Sequence, residues 1–355
     1  MRDLKRFQDV LQQGGKLYWG GIVFRDGQEG RNMAGIIFIS TQEKSKVMKH
    51  IPAFFLIASF AVALLLCAGC SQAPEQQAET TVPTPVPTGI STPGELVEYV
   101  SDAAEYAREQ GREKALAEFS KPDGQFVTGG TYVYAIDYNG IVLAHPIFPE
   151  LVGVNRTENQ DPNGVYYMQE LLRVARDDGG FTYYLYPNPS HEGKTELKLS
   201  YVSPVDETYW IAAGIYLSDM PASFTTEDRS DLMDFVHEAG DYAGNVSRDV
   251  ALAVFNDLEG NFTREDSYIF AYTYDGTLIA HPYQPELIGE DLSDLEDPNG
   301  VKILREKIAR AQSGGGFAYY IYPNPSRNFT NELKLVYVEP VDDQWWLGSG
   351  IYASE

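Results

Sequence analysis

Few residues in this chain have side chains suited to chemistry. Five histidines and two cysteines serve 355 residues, and both cysteines, Cys67 and Cys70, fall in one apolar stretch near the N-terminus. Beyond that stretch there is no disulfide, no thiol nucleophile and no thiolate metal site. His145, His191, His237 and His281 lie beyond it without any HExxH, GxSxG or Walker spacing, and the many acids form no D-x-D-x-D-G loop. Catalysis, a cofactor and a metal are therefore not expected, and the chemistry that remains is recognition.

Three basic identities recur 136 residues apart: Arg112/Arg248, His145/His281 and Lys198/Lys334. Arg112 falls in a helical pattern, where a solvated side chain is the ordinary reading. Lys198 is more informative. In "ELKLSYV" residues Leu197, Leu199 and Tyr201 share one strand face while Lys198, Ser200 and Val202 share the other, and Leu333/Leu335/Tyr337 against Lys334/Val336/Val338 repeats the split. With the leucine face on the core, both lysines face either solvent or a ligand pocket; between aromatic walls an ammonium would pair well with a carboxylate. His145 and His281 close a strand ahead of proline, so each ring either bonds loop backbone or donates to a ligand. Tyr184/Tyr320 and Tyr186/Tyr322 lie on the strand face opposite Phe181/Tyr183 and Phe317/Tyr319, and Tyr132/Tyr268 project from an earlier strand. These tyrosines are core, or they bring a hydroxyl to the end of an apolar wall that orients a small polar ligand.

The elements that must position these residues come twice. "GGFTYYLYPNPS" at 179–190 returns as "GGFAYYIYPNPS" at 315–326, and from Thr131–Tyr216 against Ser267–Tyr352 roughly half the positions agree without a gap. A period this long is a duplicated domain, not a solenoid repeat. Each copy opens with a helical spacing (Leu96, Val100, Ala103, Ala107; Leu232, Phe235, Val236, Ala239), broken near Gly111 in the first. A hairpin follows around Asn139-Gly140 and Asp275-Gly276. "DPNG" at Asp161–Gly164 and Asp297–Gly300 then reads as entry to a second helix, with a functional carboxylate as the alternative. Three strands close the copy, with a Pro-Asn-Pro loop expected between the first two. The expected fold class is α+β: two tandem modules, each a long N-terminal helix plus a roughly five-stranded antiparallel sheet with a helix on one face. Module 1 is assigned to 92–218, a connector to 219–230 and module 2 to 231–355.

Upstream, Met48-Lys49-His50 and the uncharged run Ile51–Gly69 have the form of an export signal, residues 48–70, with 1–47 a mis-called start or an extension. "LCAGC" at Leu66–Cys70 resembles a lipobox, which implies lipid on Cys70; the alternative is an uncleaved anchor spanning roughly 28 Å at about 1.5 Å per residue. The Pro/Thr-rich stretch 71–91 reads as a flexible tether. The formal charge of −24 disfavours nucleic acid as a partner.

Taken in order, "YNGIVLAHP", "PELVG", "DPNG", "GGFTYYLYPNP", "ELKLSYVSPV" and "YWIAAGIY", with their second-copy counterparts, resemble the Cache superfamily of extracytoplasmic sensor domains. The resemblance implies a PAS-like sheet that holds a small molecule between itself and its covering loops. Cache domains usually sit ahead of a membrane span and a signalling domain, neither of which follows here before Glu355. The expectation is thus a membrane-anchored, extracytoplasmic small-molecule sensor that passes its ligand state to a separate signalling or transport partner, with a small carboxylate favoured as ligand. A ligand-free adhesive module and a transport-associated solute-binding lipoprotein are the alternatives. Thr182 against Ala318, Ser200 against Val336 and Ile147-Phe148 against Tyr283-Gln284 suggest that the copies differ in ligand choice.

Overall fold

The computed structural model describes residues 17–23, 34–39, 89–264 and 267–353. The export signal, Cys70 and most of the tether lie outside these residues. Two compact units divide the chain, Met1–Glu79 and Thr80–Glu355. In the first, Leu17–Val23 (β1) and Ala34–Ile39 (β2) pair antiparallel. Among the described residues no helix is long and apolar enough to cross a membrane.

The second unit contains both modules. Thr92 caps the long helix α1 (Pro93–Gln110) by accepting from the Glu95 backbone N–H, while the Glu95 carboxylate returns to the Thr92 N–H. That capping box, with proline in the first turn, sets where the helix starts. Gly111 ends it, and α2 (Arg112–Phe119) follows at once. Next come β3 (Val127–Thr128), β4 (Thr131–Tyr132), β5 (Tyr134–Asp137) and β6 (Val142–Ala144), then α3 (Tyr167–Arg176), β7 (Gly180–Asn188), β8 (Lys194–Pro204) and β9 (Tyr209–Tyr216). Module 2 repeats the series as α4 (Thr226–Asn245), α5 (Arg248–Phe255), β10 (Thr263–Arg264), β11 (Ser267–Tyr268), β12 (Phe270–Thr273), β13 (Leu278–Ala280), α6 (Ile303–Gln312), β14 (Gly316–Asn324), β15 (Thr330–Pro340) and β16 (Trp345–Tyr352). Because Thr225 and Asp228 form another capping box, α4 begins inside the stretch assigned to the connector.

Each sheet has five antiparallel strands, in the orders β6-β5-β9-β8-β7 and β13-β12-β16-β15-β14. Helices cover both faces, which corrects the expectation of a single covered face. Leu96, Val100, Ala103 and Ala107 of α1 pack on the side bearing Leu197, Leu199 and Ile211. On the other side, Met168, Leu171 and Leu172 of α3 pack with Tyr184, Val202 and Trp210. The reason is legible in β9, "YWIAAGIY", whose first seven residues are all buried. A strand apolar on both faces needs two covers. A second correction concerns the Pro-Asn-Pro loop: β7 runs on through Pro187 opposite Thr195, and β14 through Pro323 opposite Asn331. Both are edge strands, where a missing N–H costs no ladder bond.

Each "DPNG" turn closes on itself and also reaches into the neighbouring module. Asp161 Oδ1 accepts from the N–H groups of Asn163 and Val165, at 2.9 and 3.0 Å, and Oδ2 accepts from the Leu185 N–H at 3.1 Å. Helix α3 then starts only at Tyr167. The same Oδ2 accepts a hydrogen bond from the Tyr319 hydroxyl of module 2 at 3.0 Å, and Asn163 Nδ2 donates to that hydroxyl at 2.7 Å. The reciprocal clasp is complete: Tyr183 Oη donates to Asp297 Oδ2 at 2.8 Å and accepts from Asn299 Nδ2 at 2.9 Å. Gly164 and Gly300, both at φ +85°, lie under the rings of Phe317 and Phe181, and a Cβ there would come within 3.3 and 3.1 Å of those rings. The modules thus pack through equivalent surfaces about an approximate two-fold relation. Arg310 adds a bond to Gln169 at 2.9 Å.

Candidate ligand site

The α3 face of the first sheet encloses a cavity of about 20 Å³, room for about one water. Lys198 enters it from β8 and is wholly buried. Its path requires Gly214 on the adjacent strand, where a Cβ would sit 2.5 Å from Lys198 Cε; Gly350 does the same for Lys334 at 2.7 Å. Of the two orientations left open by strand alternation, the structure thus has the inward one.

Around the Lys198 ammonium stand four tyrosine rings, with centres 4.2 Å (Tyr132), 5.0 Å (Tyr216), 5.4 Å (Tyr186) and 5.7 Å (Tyr134) from Nζ. Ring faces attract a cation but offer it no lone-pair acceptor, and Nζ makes no hydrogen bond among the described residues. Burial pushes this ammonium down to about 7. His145 lines the same cavity, its Nδ1 accepting from the N–H groups of Ile147 (3.3 Å) and Phe148 (3.1 Å). Its proton therefore sits on Nε2, a donor. Burial, then the charges of Lys198 and Arg156, lower His145 to about 3, so the ring stays neutral. Loop bonding and ligand donation, set against each other from sequence, are compatible: Nδ1 bonds the loop and leaves the Nε2–H as a donor.

Arg156 and Tyr167 also line it, Arg156 Nη2 donating to Tyr167 Oη at 2.6 Å while its Nε is buried with no partner among the described residues. Tyr184 joins a hydroxyl chain, 3.1 Å from Tyr134 Oη and 2.9 Å from Ser200 Oγ. Lining residues include Lys198, Arg156, His145 and five tyrosines but no carboxylate. The arrangement can hold one small anion and repels a cation.

Module 2 gathers the equivalent candidates with different details. Lys334 Nζ donates to Tyr268 Oη at 3.2 Å and lies 4.4, 4.9 and 5.9 Å from the ring centres of Tyr268, Tyr352 and Tyr322. His281 is buried beside Tyr268 and lowered to about 3 by burial and by Lys334 and Lys307. Tyr320 packs on Tyr322, whose hydroxyl donates to Gln284 at 2.9 Å. Arg112 and Arg248 stay outside both sites, over the rings of Tyr209 and Trp345.

Sequence reasoning missed Arg156, Tyr134, Tyr167, Tyr216 and Lys307. A filter for recurrence discards Arg156 and Lys307, because Leu292 and Leu171 stand at their counterparts.

A family model described as single Cache domain 2 matches residues 98–229 and 239–355. The chain belongs to this family. Cache domains are extracytoplasmic ligand-binding sensor domains of membrane receptors, chemoreceptors and histidine kinases among them. Similar proteins include the sensor histidine kinase MctS of Rhizobium johnstonii, 39% identical over 92 residues, which are 26% of this chain and 20% of that protein. Methyl-accepting chemotaxis protein McpP of Pseudomonas putida is 30% identical over 119 residues, 32% of this chain and 21% of that protein. The chain thus spans about a fifth of the length of these relatives. A solved Cache chemosensory domain described for carboxylic acid recognition is 27% identical, covering 37% of this chain and 100% of that one, with a TM-score of 0.31.

Proposed function

We propose that this protein is a non-enzymatic, membrane-anchored extracytoplasmic sensor whose first Cache module binds a small carboxylate on Lys198. The observation that carries the reading is the wholly buried Lys198 ammonium, without a hydrogen bond among the described residues, facing a cavity lined by further donors and no acid. A carboxylate would supply the missing acceptor in a charge-assisted bond, with Arg156 and the His145 Nε2–H as further donors. Because about 20 Å³ holds only a water-sized body, even a two-carbon acid must part α3 or the loop after β6 from the sheet. Ligand entry is thereby coupled to a change of shape, which is what a sensor passes to its partner.

Titration calorimetry of the full chain with acetate and propionate tests the reading. Binding should be lost in Lys198→Met while the variant keeps its cooperative melt; unchanged affinity in that variant would overturn it. Anchoring is assigned to lipid on Cys70. Cys70→Ser should then shift the protein out of the membrane fraction, whereas an unchanged fraction would favour an uncleaved apolar anchor.

A further inference from the structure

At two site positions the modules have exchanged a cation for an apolar residue in opposite senses. Module 1 has Arg156 on the loop after β6 and Leu171 on α3; module 2 has Leu292 and Lys307 at the equivalent positions. Both members of the first pair line the module 1 cavity. The second cation has therefore moved from the loop to the helix that covers the sheet. Lys307 is only 2% exposed, and its Nζ stands 4.2 Å from the ring centre of Tyr320, 5.0 Å from Phe270 and 5.8 Å from Tyr272. Tyr320 in turn packs on Tyr322, whose ring lies beneath Lys334. The ammonium groups of Lys307 and Lys334 thus approach one wall of adjoining tyrosines from α6 and from β15. Their mutual effect is felt: burial, then the charge of Lys334, pushes Lys307 well down. His281 responds to both charges.

We propose that module 2 is a second anion site, specific for a short dicarboxylate, in which Lys334 holds one carboxylate as Lys198 does in module 1 and Lys307 holds the other. The inference rests on the reading of module 1 as a carboxylate site. The difference lies at the far end of the ligand. Where module 1 offers the Leu171 side chain to an alkyl tail, module 2 offers a buried ammonium. An alkyl tail laid against Lys307 would leave that group desolvated with no ligand carboxylate to add to the charge of Glu306, so module 2 disfavours monocarboxylates. With Arg156 engaged by the first carboxylate alongside Lys198, a second carboxylate laid against Leu171 would itself be buried without a partner, so module 1 disfavours dicarboxylates.

Calorimetry of the full chain with succinate and with propionate separates the possibilities. Succinate should bind one site per chain, weaken at least tenfold in both Lys307→Leu and Lys307→Gln, and be unaffected by Lys198→Met. Propionate should show the converse, lost in Lys198→Met and retained in both Lys307 variants. Lys307→Leu restores the residue that module 1 carries at the same place, and an unchanged melting temperature in either variant confirms that folding is intact. Succinate binding that survives both Lys307 substitutions would overturn the proposal. So would propionate binding without any succinate binding, which leaves the module 1 reading standing and makes Lys307 a side chain that fills its own site. Absence of binding for both acids would overturn the two readings together.

Discussion

Lys198 is a wholly buried ammonium, and its titration is the handle that the residue scale offers. Its free-state value near 7 lies below the ordinary lysine value of 10.5. The groups that face it are the rings of Tyr132, Tyr134, Tyr186 and Tyr216, with Arg156 and His145 on the cavity wall. His145 stays neutral across the neutral range, so it is Lys198 that changes charge there. An anion needs the protonated form. Propionate affinity should therefore be flat between about pH 5.5 and about pH 6.5 and fall about tenfold per unit above about pH 7.5, with proton uptake on binding. Calorimetry in buffers of different ionisation enthalpy reads both; constant affinity up to about pH 9 would contradict the assignment. For the unliganded fold the sign is opposite. Below about 7 folded and unfolded chains both hold the proton and the full burial penalty applies; between about 7 and 10.5 only the unfolded chain does, so this residue lets stability rise with pH.

Among the elements, α3 and α6 decide the most. They cover the sheet face that carries the lysines and tyrosines, and each follows an aspartate turn tied to the neighbouring edge strand, through the N–H of Leu185 in β7 and of Ile321 in β14. Residues on those strands alternate in purpose. Tyr184 points to the module 1 cavity while Tyr183 donates to Asp297 of the other module, and Tyr320 and Tyr319 repeat the division. One pleated strand thereby links a cavity wall to the inter-module contact with no intervening residue. The proline at Pro187 or Pro323 is tolerated because the same strand is an edge.

At the scale of the whole molecule, the α1-side core of module 1 continues into that of module 2, joined by Phe181, Phe317, Tyr183 and Tyr319. The clasp holds two carboxyl groups, Asp161 and Asp297, that are 6% and 7% exposed and raised by burial. Deleting one hydroxyl strips an acceptor from the amide of Asn163 or of Asn299 and a donor from a buried carboxylate. Tyr319→Phe and Tyr183→Phe should each cost about 1–3 kcal/mol, by similar amounts because the contacts are reciprocal, and the parent should unfold in one transition. Urea denaturation followed by far-UV circular dichroism checks this. Two separated transitions in the parent, or no loss in either variant, would show that the modules do not stabilise one another through these bonds.

The sequence by itself determined the duplication, the order of helices and hairpins, the five strands and the strand alternation that puts Lys198 with Ser200 and apart from Leu197 and Leu199, because these depend on local periods and on an offset that can be counted. The tyrosines singled out in the first copy, Tyr132, Tyr184 and Tyr186, line one cavity with Lys198. Tertiary structure alone decided which way that lysine points, since burial depends on α3 closing the second face and on Gly214 making room from the next strand. It also decided the partners of Asp161. An Asx turn is local and was legible as a turn, but a hydroxyl 158 residues away in the chain is not. Arg156 and Lys307 were hidden for a related reason: what the duplication conserves is the frame, and a cation that crosses from loop to helix leaves no matching position to count.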